Sequence, residues 1–184
     1  AGSIDVTSAL AWMRQELPGA EGVGELLRFF VHWTQRSPWY VSVLLKRAKE
    51  LMPLQQQRRV NHAVLFQAAW DVLGSANGAL HQWCAGQLQR LSQQKHGPLS
   101  RQALIHIAGG ARTLQEIGRR CGQIRQTSHA LHLLASNDAV ERKGTCWLIR
   151  DQVLACWVNA VSAPMEQGMA ASQARFNDAL NDGA

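Results

Sequence analysis

One change of period constrains this chain more than any other feature. From Ser100 to Ser136 the apolar residues recur at helical spacing, and directly afterwards the pattern becomes that of two short strands flanking a glycine. Helix one is expected from about Ser100 to Ala108, and Gly109-Gly110 ends it by allowing a positive φ. Thr113-Leu114-Gln115-Glu116 has the Thr-x-x-Glu spacing of a capping box, in which hydroxyl and carboxylate each satisfy the other residue's backbone N–H. It opens a short second helix, Leu114 to Cys121, that buries Leu114 and Ile117. Gly122 permits a tight turn, with Ile124 as its apolar plug. A third helix follows from about Gln126 to Ser136, with Thr127, Ala130, Leu131 and Leu134 on one face. Residues 139–142 and 145–149 are rich in β-formers, and Lys143-Gly144 is the expected two-residue turn between them. Three helices followed by a hairpin is the order of a winged helix-turn-helix.

The rest of the chain reads as helical. Apolar residues repeat at helical spacing through Leu10, Trp12, Met13 and Leu17, and again through Leu26, Leu27, Phe30 and Val31. Ser37-Pro38 supplies an N-cap and a first-turn proline for a third segment that runs to Met52-Pro53. Two more helices are expected, from about Arg59 to Leu73 and from Ala79 to about Gln94, and no strand is expected before residue 138. Lys95-His96-Gly97-Pro98 is a polar, turn-rich joint. The expected fold class is therefore mainly α: a helical bundle followed by a winged helix-turn-helix with a small β-hairpin wing. The expected organisation is a lid-like bundle over 1–97, the winged helix with a closing helix (about Gln152 to Val161) over 98–163, and a polar tail over 164–184.

Charge narrows the partners. The net charge is +6. Residues 1–97 carry ten Lys/Arg against six Asp/Glu, residues 98–151 eight against four, and the remainder one against three. A basic balance favours a polyanion, so double-stranded DNA is one expected partner. In a helix-turn-helix the later helix enters the major groove and reads base edges. Arg125, Gln126, Ser128, His129 and His132 are the candidates for that role, with Arg142 and Lys143 in the wing and Arg119 and Arg120 placed to meet phosphates. Helix three has no Lys or Arg after Arg125, so a protein partner or self-association is the alternative. Trp39 and Trp147 are candidate exposed anchors for such a partner.

Other chemistry is poorly supplied. The cysteines at 84, 121, 146 and 156 form no CxxC pair, and their dispersal fits a reducing, cytoplasmic setting. No apolar run approaches the roughly 18 residues of a membrane span, so no membrane partner is expected. His129/His132 and His81/Cys84 each sit three apart but lack an evident third ligand, so neither a metal nor another cofactor is expected. There is no glycine-rich phosphate loop, since none of the four lysines is followed by Ser or Thr. No Ser/His/Asp spacing or apolar carboxylate pair appears either, and the chain is expected not to be an enzyme by itself.

Two stretches nevertheless carry a resemblance. Val31-His32-Trp33-Thr34-Gln35-Arg36-Ser37-Pro38-Trp39-Tyr40 resembles a helix ending in Gly-x-Pro-Tyr-Tyr. Leu99 to Ala108, continuing to Leu148-Ile149-Arg150-Asp151 and Leu154-Ala155-Cys156-Trp157, resembles a wing ending in Tyr-x-Ile-x-Asp-Pro and the helix after it. Both are similar to the C-terminal lid and winged helix of the archaeal-type P-loop ATPases, relatives of the STAND and AAA+ enzymes. The resemblance implies that Arg36, Ser37 and Pro38 are the remnant of a nucleotide lid, the proline lying near the adenine in the family. Arg36 stands where the family has Gly, Trp147 where the wing often has Tyr, and Gln152 where Pro follows the Asp. With no phosphate loop, the resemblance implies either a non-catalytic regulatory module or a fragment of a full ATPase, silent without its nucleotide domain.

Overall fold

The structure, a computed structural model, describes residues 3–182 and the side chains of residues 3–180. It is mainly helical, with one small antiparallel two-stranded sheet among the described residues. The chain divides into two compact units, residues 1–82 with 173–184 and residues 83–172. The division falls inside a helix, upstream of the polar joint at 95–98.

In the first unit, α1 (Val6–Glu16) is capped by Asp5, whose carboxylate accepts from the Ser8 N–H at 2.9 Å. A single 3₁₀ turn, Ala20–Val23, leads into α2 (Gly24–Trp33). The following Thr34 to Ser37 turn places Gln35 and Arg36 at φ +51 and +59. Ser37 is the N-cap of α3 (Pro38–Leu54), as the sequence indicates, but its side chain makes no capping bond. Pro38 takes the first turn, where its missing N–H costs nothing. Helix α3 packs on α1 and on α4 (His62–Ala69), which runs on into a π-helical turn, Trp70–Gly74. Phe30, Leu27, Leu44, Leu65 and Leu73 are fully buried and form the centre of this unit.

Part of the expected polar tail is helical and packed. Helix α11 (Gln173–Asp182) buries Phe176 and Leu180 completely, and Phe176 meets Trp70 edge-on at 5.5 Å. The sequence hides this because two apolar residues four apart, among small and polar ones, leave a narrow stripe.

In the second unit, α5 (Ala79–Ser92) enters from the first, and α6 (Gly97–Ala108) ends at Gly109, with Gly110 at φ +93. Helices α7 (Leu114–Arg120) and α8 (Ile124–Ser136) pack on each other and on α6. Leu104, Ile107, Ile117, Ala130, Leu131 and Leu134 fill the space between them. The capping box forms: the Glu116 N–H donates to Thr113 Oγ1 at 3.2 Å, and the Thr113 N–H donates to the Glu116 carboxylate at 3.0 Å. A short turn with Gly122 at φ +75 joins α7 to α8. Two expectations change here. Ile124 is no buried plug: it starts α8 and is 47% exposed, and it lies where a Cβ on Gly118 would meet it. Leu114 is half-buried rather than buried.

The hairpin pairs β1 (Val140–Lys143) with β2 (Cys146–Ile149). Lys143 lies opposite Cys146, so the turn is Gly144-Thr145, one residue later than the sequence suggests. Glycine leads because the first turn residue has φ +62. A single bridge joins Thr113 to Cys146, and the Trp147 N–H donates to the Arg112 carbonyl at 2.7 Å. This pairing before residue 138 was not legible in the sequence. Asp151 caps α9 (Gln152–Trp157), accepting from the N–H groups of Val153 and Leu154 at 2.8 and 3.1 Å. The helical path continues through a π turn, Val158–Ser162, into α10 (Ala163–Glu166).

Candidate nucleic-acid interface

Helix α8 presents a polar face because Thr127, Ala130, Leu131 and Leu134 turn inward. Arg125, Gln126, His129 and His132 are left exposed, and Ser128 is half-buried. Their spacing of three and four keeps Arg125, His129 and His132 along one side of the helix. The His129 ring stacks on that of His96, with centroids 6.0 Å apart and planes 17° apart. His132 points its ring edge-on at Trp147, at 6.1 Å and 87°.

The hairpin meets this face through Trp147. Arg142 and Trp147 are direct cross-strand partners, so both side chains project from the same face of the hairpin. The Arg142 guanidinium carbon lies 5.8 Å from the Trp147 ring centroid, and its Nε donates to the Gly144 carbonyl at 2.9 Å. Trp147 itself is buried, at 6% exposure, so it is not an exposed anchor. Trp39, in the other unit, is 42% exposed.

A groove of about 450 Å³ opens between α8, the start of α7 and the hairpin. Ser128 and His132 line it from α8, Thr113 from the α7 cap, and Arg142, Thr145 and Trp147 from the hairpin. No carboxylate is among its lining residues. The groove thus joins three sequence candidates, Ser128, His132 and Arg142. Arg125, Gln126 and His129 share the α8 face but not the groove. Lys143 pairs with Glu141 at 2.7 Å, so part of its charge is already neutralised. Arg119 and Arg120 are exposed at the end of α7, where Arg120 Nη1 donates to the Gly109 carbonyl at 3.4 Å. Arg36, Ser37 and Pro38 belong to the other compact unit.

Thr113, Leu114, Gln115, Thr145 and Trp147 are the groove residues that sequence reasoning did not assign to the site. The misplaced turn explains the last two. A Lys143-Gly144 turn pairs Arg142 with Thr145, whereas the observed register puts Trp147 opposite Arg142.

Three titratable groups around α6 and α7 are shifted from their ordinary values. Glu116 is held below the ordinary carboxylate range by the backbone N–H groups of Thr113 and then Arg112. His106 is pushed down by burial and next by the charge of Arg120. Burial raises the Cys121 thiol. Among the described residues, no group of three or more His, Cys, Asp or Glu gathers closely enough to hold a metal ion, and no helix is long and apolar enough to cross a membrane.

Comparison with protein-family models, with curated proteins and with solved structures finds no match for this chain.

Proposed function

We propose that residues 83–172 form a winged-helix module that binds double-stranded DNA without catalysing a reaction. The observation that carries this reading is the groove in which α8, the α7 cap and the hairpin bring Ser128, His132 and Arg142 together with no carboxylate among the lining residues. The order α6, α7, α8, β1, β2 supports it, as does the Thr113–Cys146 bridge, which ties the hairpin to the segment before α7. Helix α8 then lies in the major groove, with Arg125, Gln126 and His129 facing base edges and Arg142 facing the phosphates.

Descent from the lid and winged helix of an archaeal-type P-loop ATPase is part of this proposal. Arg36 supports it: the position where that family has Gly adopts φ +59 here, a backbone region that favours glycine. The chain then acts as a regulatory module, or as the nucleic-acid-binding end of a longer ATPase.

Fluorescence anisotropy of a labelled random-sequence duplex tests the proposal. Micromolar binding that weakens on Arg125→Ala substitution is expected. Binding that ignores Arg125→Ala sinks the assignment of α8 as the reading helix.

A further inference from the structure

We infer that the groove between α8 and the wing seats a backbone phosphate of duplex DNA, and that Trp147 is the positioning residue that aims Arg142 at it. The inference rests on the DNA-binding reading and adds the site and the part each residue plays. An arginine on an exposed strand ordinarily samples many rotamers, and binding must freeze them. Arg142 is already restrained at two points. Its guanidinium carbon lies over the Trp147 ring, 5.8 Å from the centroid, and its Nε is committed to the Gly144 carbonyl at 2.9 Å. That leaves the two terminal nitrogens as a fork, the geometry that suits a phosphate.

Trp147 can hold this pose because it is itself fixed. It is buried, its backbone N–H donates to the Arg112 carbonyl, and His132 abuts its ring edge-on. The same indole therefore organises one group from the wing and one from α8, on either side of a single groove. The hydroxyls of Ser128, Thr113 and Thr145 line that groove, and an anion entering it meets no lining carboxylate.

The test is a salt-dependent anisotropy titration of the whole chain with a labelled random duplex, comparing Arg142→Ala, Trp147→Leu, Trp147→Phe and the Arg142→Ala/Trp147→Leu double variant. Circular dichroism checks that each variant is folded. Removing a phosphate contact should reduce the slope of log affinity against log salt by about 0.9, so Arg142→Ala should show that drop. Trp147→Leu leaves the charge in place, so its slope should stay at the wild-type value while affinity falls about two- to tenfold. Trp147→Phe, which keeps an aromatic platform, should recover most of the loss. Should Trp147→Leu fail to fold, Trp147→Met, which also lacks an aromatic platform, carries the comparison in both backgrounds with the same expected outcomes. In the Arg142→Ala background, Trp147→Leu should cost nothing further in affinity. Duplex binding with an unchanged slope in Arg142→Ala refutes the phosphate seat while leaving DNA binding intact. A full additional loss in the double variant refutes the positioning role. Absence of duplex binding by the wild-type chain refutes the DNA-binding reading, and this inference with it.

Discussion

Gly118→Ala and Gly86→Ala make the same chemical change in two helices and should have opposite signs. In a helix interior the change ordinarily stabilises by about 1 kcal/mol, because alanine loses less backbone entropy on folding. Gly86 lies within α5, and a Cβ built there meets nothing within 4 Å. It should gain roughly that 1 kcal/mol. A Cβ on Gly118 meets Ile124 Cα at 2.8 Å and Ile124 Cγ1 at 2.9 Å. Backbone cannot swing aside as a long side chain does, so α7 and α8 must separate. Overpacking of this kind costs about 1–3 kcal/mol. The propensity gain offsets part of it and is no larger in a helix as short as α7. Subtracting one variant from the other largely cancels that gain and leaves the clash, so the two stabilities should differ by about 1–3 kcal/mol. Urea denaturation followed by far-ultraviolet circular dichroism measures both. Equal stabilisation by the two alanines would refute the claim that the α7–α8 spacing needs a glycine.

Three further predictions follow from single groups. Thr113→Ala removes the hydroxyl half of the capping box and should cost about 1 kcal/mol in the same urea assay. Glu116 has a folded-state pKa below its ordinary 4.5, so its contribution is present above that pH and is lost as pH falls below it. Glu116→Gln keeps a side chain able to complete the box, and a comparison of urea midpoints at pH 6 and pH 3 should show a smaller acid loss than in wild type. His81 is shifted the other way for a base: burial disfavours its charged form and lowers its pKa from 6.5, although the Leu73 carbonyl 3.2 Å from Nδ1 opposes this. The unfolded chain therefore binds the proton more readily, and stability should fall as pH drops below 6.5. His81→Gln should flatten that dependence between pH 8 and pH 5.5.

The local signals in the sequence carried well where the structure is itself local. Thr113 and Glu116 interact across three residues, and their box forms as spaced. The Gly109-Gly110 stop and the α8 apolar face depend on neighbours within a turn or two, and both appear. What the sequence did not reveal depends on distant partners. The Thr113–Cys146 bridge joins segments separated by the whole of α7 and α8. Phe176 is buried because α11 packs against a turn at Trp70, far away in the chain. Register is the subtlest case. Lys143-Gly144 and Gly144-Thr145 are both acceptable turns on composition, and only the wing's bond to Arg112 and its packing select the second. That choice decides whether Arg142 faces Thr145 or Trp147, so the main feature of the candidate site was hidden behind one residue of slip.

The salt dependence of duplex affinity tests the central claim most directly. Arg119, Arg125 and Arg142 are exposed cations at the candidate surface, whereas Lys143 is paired with Glu141 and Arg120 reaches the Gly109 carbonyl. With Arg125 facing bases, the two phosphate contacts of Arg119 and Arg142, rising to four if Lys143 and Arg120 also engage, should weaken binding about 12- to 150-fold between about 50 and 200 mM salt. A loss in that range whose slope falls in Arg142→Ala, together with weaker binding in Arg125→Ala, is the expected result. No duplex binding at the lower salt, or binding indifferent to salt, would contradict the account and leave α8 and the wing as a surface for a protein partner.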